Sequence, residues 1–155
     1  MGKKRRHTRV PPKPKSYSRA LPGQCRFCAK PIFKNGFIHK RAQWHPMCAL
    51  TWTIMNSPKD ARRFVFIRDH GICAHCNYDC SPQGPDHARQ IVQKLMQGFE
   101  VRKLGNWQLD HIVPLFAAQG NPDMWKLPNM QTLCEKCHVK KSKQDNETYS
   151  EFLCS

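Results

Sequence analysis

Two Cys-x2-Cys knuckles, Cys73-Ala74-His75-Cys76 and Cys134-Glu135-Lys136-Cys137, bracket an Asp110-His111 pair. The second knuckle runs straight into His138, and Asn129 lies just upstream of it. One zinc ion bound by all four thiolates would staple the knuckles to each other. A carboxylate, two imidazoles and an amide would then converge, the set of groups that metal-assisted phosphodiester cleavage uses.

A second ligand set precedes these. Cys25-x2-Cys28 is followed after sixteen residues by His45-x2-Cys48, with Trp44 directly before the histidine. Three thiolates and one imidazole close a tetrahedral zinc site and leave no position for water, so this ion would hold rather than catalyse. The chain contains nine cysteines, and pairs two residues apart suit zinc in a reducing compartment better than disulfides. No apolar signal segment follows the basic N-terminus, so the expected location is cytoplasmic and not secreted.

The formal charge is +15, from 26 Lys and Arg against 11 Asp and Glu. Such an excess predicts a polyanionic partner, with DNA first and RNA possible. An anionic membrane would require an amphipathic basic helix, and the proline-rich start of the chain opposes one. Residues 1–20 carry Lys3, Lys4, Arg5, Arg6 and Arg9 and no acidic residue. They read as a disordered, phosphate-tracking basic arm. No apolar run reaches the ~20 residues of a membrane span.

The elements that must position the chemistry follow from pattern. Ala49 to Met55 predicts a short helix leaving the first zinc, and Asn56-Ser57-Pro58 breaks it. Ser57 as N-cap with Pro58 at the first position starts a second helix to about His70, with Ala61, Phe64, Val65 and Arg68 along one side. The 57 residues between Cys76 and Cys134 exceed the ~15–20 of a simple zinc ribbon and must contain structure of their own. Ala88, Ile91, Val92, Leu95 and Met96 predict an amphipathic helix there, closed by Gly98. A strand is expected over Trp107 to Leu115, with Leu109, Val113 and Leu115 on one face. Period two places Asp110 and His111 on opposite sides, so they serve one site only if the strand ends or twists there. On the finger, Phe33 and Phe37 are expected to pack beneath the zinc. Asp145 reads as a surface charge.

Leu109-Asp110-His111-Ile112-Val113-Pro114-Leu115, followed by Pro128-Asn129-Met130-Gln131-Thr132-Leu133-Cys134-x2-Cys137-His138-x2-Lys141, resembles the HNH endonucleases in their Asp-His variant with four zinc-binding cysteines. Cys25 to Cys48 is similar to the first zinc module of LIM-type fingers. The resemblance implies a small, zinc-stabilised α+β fold with a ββα-metal catalytic module. It also implies that Asp110 and His138 ligate a divalent ion such as magnesium, that His111 is the general base, and that Asn129 fixes the loop and orients His111. The cysteine arithmetic agrees, because two complete Cys-x2-Cys pairs fill one zinc and free His138 for the other metal. Lys136, Lys140, Lys141 and Lys143 would clamp the scissile strand.

The expected organisation is a basic arm at 1–20, a zinc-finger module at 21–56, an HNH nuclease module at 57–148 and a tail at 149–155. The expected function is a metal-dependent DNA endonuclease that nicks one strand per site, similar to phage-encoded and mobile-element nucleases. A non-catalytic zinc protein that binds nucleic acid, or a nuclease acting on RNA, is the alternative.

Overall fold

The computed structural model describes residues 10–153, so Lys3, Lys4, Arg5, Arg6 and Arg9 lie outside the described residues. The fold is a small mixed α+β arrangement with two short antiparallel hairpins, β1 (Phe33–Lys34) with β2 (Phe37–Ile38), and β3 (Gln108–His111) with β4 (Met130–Leu133). Helix α1 spans Pro46–Asn56, α2 Pro58–Asp69, α3 Pro85–Met96 and α4 Glu135–Thr148, and a last short helix α5 covers Ser150–Leu153.

Local chemistry sets the helix ends. Ser57 separates α1 from α2, and its side chain accepts a hydrogen bond from the Asp60 N–H at 3.2 Å, while Pro58 occupies the first helical position where no N–H is required. His70 closes α2 in the left-handed conformation with φ 55°, and Gly71 follows at φ 81° to turn the chain into the knuckle. In α3, Ala88, Ile91, Val92 and Leu95 are buried, but Met96 is 72% exposed. At 100° per residue Met96 falls about 80° away from Ala88, on the flank of the apolar stripe.

The main core joins Val65 and Phe66 of α2, Ile91 and Leu95 of α3, Trp107, and Met130 and Leu133 of β4. Strand β4 is buried along its whole length because α2 and α4 both pack against it. Its two polar residues are satisfied, as buried polar groups must be: Thr132 Oγ1 donates to Asp69 at 2.9 Å and Gln131 Nε2 to Asp110 at 2.9 Å. Arg68, expected on the apolar side of α2, instead donates to the carbonyls of Leu127 and Met130 and to Asp69. It fastens the end of α2 to β4.

The segment between the knuckles threads closely past the first one. Gly105 adopts φ 96°, and a Cβ there would lie 2.0 Å from the Cys80 carbonyl oxygen, so only glycine fits. The Arg62 guanidinium sits 3.8 Å from the Trp107 ring centroid and donates to the Trp107 and Gly105 carbonyls. It combines a cation–π contact with closure of this turn.

Two expectations about the finger differ from the structure. Phe33 and Phe37 do not lie beneath the zinc ligands; they are 64% and 79% exposed, since a two-residue ribbon has no inner face to bury them. The basic arm is also ordered further towards the N-terminus than expected. Lys15–Tyr17 forms a 3-10 turn, the Tyr17 ring packs against Trp44 and Trp52 at 5.8 and 5.2 Å, and Ser16 donates to the Arg26 carbonyl at 2.8 Å. A smaller core of Met55, Ala118 and Trp125, with Phe27 against it, packs the finger onto the loop that follows β3. Among the described residues no helix is long and apolar enough to cross a membrane.

Candidate active site and metal centres

The knuckles meet as the sequence requires. The donor atoms of Cys73, Cys76, Cys134 and Cys137 all lie within 4.8 Å of one another, and so do those of Cys25, Cys28, His45 and Cys48. Zinc–sulfur bonds of ~2.3 Å arranged tetrahedrally separate sulfurs by about 3.8 Å, and Cys76 Sγ lies 3.8 Å from Cys134 Sγ. In the finger, His45 turns Nδ1 towards Cys28 Sγ at 3.4 Å and Cys48 Sγ at 3.8 Å, while Nε2 reaches the Pro31 carbonyl at 3.1 Å. Orienting a ligating imidazole through its other nitrogen is the usual outer support of a metal site. The two sets could each hold a zinc ion.

Within each set the thiols differ sharply in acidity. Burial opposes ionisation of Cys25, but backbone groups of His45, Cys28 and Phe27 bring its pKa down to about 6. Burial and the neighbouring Cys28 and Cys25 thiols push Cys48 up to about 12. The second set repeats the split: Cys73 falls to about 6 although burial opposes it, and Cys137 rises to about 12, chiefly through Cys134 and Cys76. Four clustered donors cannot all carry charge unless a metal ion compensates them. Cys80, outside either set, is buried and pushed up to about 11 by that burial.

The hairpin places Asp110 opposite Gln131 and His111 opposite Met130. The strand expected to run to Leu115 stops at His111, and Asn129 is the cause. Its main-chain oxygen accepts from the Ile112 N–H at 2.8 Å, its Oδ1 from the Val113 N–H at 2.9 Å, and its Nδ2 donates to the Val113 and Met124 carbonyls at 3.0 and 2.8 Å. With its ladder partners replaced by one side chain, the backbone turns away, and a 3-10 turn follows at Leu115–Ala117. The condition for Asp110 and His111 to share a site, a strand that ends there, is thus met.

Helix α4 starts at Glu135, three residues before the expected His138. It lies against β3 and brings His138 Nε2 to 3.9 Å from Asp110 Oδ1. The other carboxylate oxygen, Oδ2, is engaged by Gln131 Nε2 at 2.9 Å and Lys141 Nζ at 3.1 Å. One oxygen is fixed by the protein and the other faces an imidazole, so the pair fits a divalent ion held by one oxygen and one nitrogen donor. Burial lowers the pKa of His111; the Asp110 carboxylate raises it and the Lys141 ammonium lowers it.

Lys141 stands apart from its neighbours. Lys136, Lys140 and Lys143 are exposed, whereas Lys141 is 7% exposed and cannot clamp a strand. Its ammonium donates to the His111 carbonyl at 2.9 Å and to Asp145. Asp145, expected as a surface charge, is its partly buried partner. Sequence pattern alone assigns Gln131 no role and makes Asp145 a surface charge. Asp145 was visible in principle, since 138, 141 and 145 form one helical stripe, but Gln131 becomes visible only with the hairpin register.

Residues 98–144 match the family described as HNH endonuclease, so the chain resembles that family across the segment that holds β3, β4, the second knuckle and most of α4. The DNA annealing helicase and endonuclease ZRANB3 of Mus musculus is 26% identical over 150 residues, which cover 82% of this chain and 14% of that protein. The protein of the same name from Homo sapiens is 25% identical over 141 residues, covering 76% and 13%. The chain therefore spans about one seventh of the length of these curated relatives. No solved structure matches it. The family match supports a nuclease-type function.

Proposed function

We propose that the protein is a metal-dependent DNA endonuclease that hydrolyses one phosphodiester bond per site. The supporting observation is the division of labour at Asp110, whose Oδ2 is engaged by Gln131 and Lys141 while Oδ1 faces His138 at 3.9 Å. Asp110 and His138 would hold a magnesium or similar divalent ion, which supplies neutralisation of charge on the phosphate and leaving oxygen.

His111 is the general base. It takes a proton from the attacking water, the water oxygen bonds to phosphorus, the bond to the 3′-oxygen breaks, and that oxygen takes up a proton from solvent, leaving a 3′-hydroxyl and a 5′-phosphate. A desolvated, neutral imidazole suits that role, and burial favours the neutral form of His111. Asn129 shapes the loop directly after it, and Lys141 holds its carbonyl oxygen. Lys136, Lys140 and Lys143, with Lys3, Lys4, Arg5, Arg6 and Arg9, would contact phosphates. The finger module, ending near residue 56, would act as a rigid support for the nuclease module.

The test is plasmid nicking across several divalent ions by wild type and His111→Ala. Loss of about 10²–10⁴-fold in rate with DNA affinity retained is the expected outcome. Equal cleavage by both proteins would remove His111 from the mechanism. No cleavage by zinc-loaded wild type with any ion would favour the non-catalytic binder, and preferential cleavage of RNA would favour the other alternative.

A further inference from the structure

The β1–β2 hairpin plays no part in the mechanism above, yet its surface is unusual. Asn35 and Gly36 form its tip with φ 52° and 81°, the double positive φ that a tight hairpin turn requires. Phe33 pairs with Ile38 and Lys34 with Phe37, so one face carries Phe33 and Ile38 and the other carries Phe37 and Lys34. All four residues are exposed. Ile38 leans on Gly23, which leaves the Phe37 and Lys34 face the more open.

The base of the ribbon is rigid. Ile32 donates to Gly23 at 2.7 Å and His39 to Ile32 at 2.7 Å, and the Pro31 carbonyl is engaged by the zinc-ligand candidate His45. No Asp or Glu occurs among residues 1–59, and Lys30, Lys34, Lys40 and Arg41, in or close in sequence to the hairpin, are all exposed. Isolated apolar residues on a surface are ordinary. A preorganised ribbon with an exposed aromatic ring and a lysine on the same face, in a stretch of sequence without acidic residues, is a stacking platform with phosphate partners alongside.

We propose that this hairpin binds unpaired bases of a DNA strand, with Phe37 stacking on a base and Lys34, on the same face, contacting the adjoining phosphate. The inference deepens the nuclease reading and rests on it for the choice of DNA as partner. It assigns the finger a preference for substrates with a single-stranded stretch. Bases in a duplex present their faces to each other and would not be available to the ring.

Binding of the full chain to an oligothymidylate 20-mer and to a duplex of equal length, followed by fluorescence anisotropy without added divalent ion, tests this. Phe37→Ala should weaken oligothymidylate binding by about tenfold or more while changing duplex binding by less than about twofold. Phe37→Trp should preserve the affinity, and Lys34→Gln should flatten its salt dependence by a slope of about 0.7. Unchanged oligothymidylate affinity in Phe37→Ala, an equal loss on both DNAs, or full affinity in Phe37→Leu would each overturn the proposal. These side chains are exposed, so zinc content and thermal unfolding should match wild type. Nicking by wild type is scored separately and reports on the nuclease reading alone.

Discussion

Lys141 Nζ lies 3.1 Å from Asp110 Oδ2 and 2.9 Å from the His111 carbonyl oxygen, so one buried ammonium bridges two successive residues of the candidate site. Its third partner is Asp145, one turn further along α4. Removing the ammonium would leave two partly buried carboxylates facing each other. Lys141→Met is expected to destabilise the protein by about 3 kcal/mol, measured by urea unfolding. Adding Asp145→Leu should recover part of that loss without restoring cleavage, because Asp110 would still lack its second donor. Equal unfolding midpoints for wild type and Lys141→Met would show that the bridge contributes nothing.

Asn129 offers a sharper separation of folding from catalysis. Asn129→Asp keeps the shape and the acceptor for Val113 but removes the donor that bonds the Val113 and Met124 carbonyls. Two partly buried acceptors would then be left facing a carboxylate, at a cost of about 1–3 kcal/mol. If Asn129 acts as proposed, by shaping the loop rather than by contacting substrate, kcat should fall while KM stays near wild type. A variant with lower stability and undiminished kcat would confine Asn129 to structure.

The two donor clusters that could hold zinc were legible in the sequence because their chemistry is carried by short spacings. Cys73, Cys76, Cys134 and Cys137 converge as two local pairs, and the Asp110-His111 and His138 motifs sit on the elements that join them. The ordered helices were legible through Ser57-Pro58 and the Ala88 to Leu95 stripe. What pattern alone could not give was the partner of each polar group. Gln131 meets Asp110 across 21 residues, through a register that no local signal encodes. Lys141 looked like any basic surface residue, although the helix turns it inward. The strand beyond His111 kept its alternating apolar pattern through Leu115, but hydrogen bonds from Asn129, a distant residue, overrode that pattern. Phe33 and Phe37 looked like core because exposure of an aromatic ring has no signature in a two-residue strand.

Two kinds of metal site should separate under chelation. The thiolate-rich sets place their donors within 4.8 Å of each other and would retain zinc through mild treatment, whereas Asp110 and His138 offer only two protein donors to the other ion. Mild EDTA is therefore expected to abolish nicking, leave about two zinc ions per chain, and permit recovery on adding magnesium. Cys134→Ala should lose one zinc and unfold at markedly lower temperature, since it disconnects the two knuckles. Finding Cys134→Ala fully stable, or wild type free of zinc yet folded, would contradict the staple.

The N-terminal segment divides into two parts with different expected effects. Deleting residues 1–9 removes Lys3, Lys4, Arg5, Arg6 and Arg9, and should weaken duplex binding and reduce its salt slope by up to about 4 without altering stability. Deleting residues 1–20 also removes Tyr17 from its packing on Trp44 and Trp52 and the Ser16 bond to Arg26. Aromatic contacts of this type contribute about 0.5–1.5 kcal/mol beyond their area, so the longer deletion should also lower the melting temperature. Calorimetry on the two truncations, beside DNA titrations at several salt concentrations, separates these roles. An unchanged salt slope after the shorter deletion would mean that those five charges do not contact DNA, and equal melting temperatures for both truncations would mean that Tyr17 does not brace the finger.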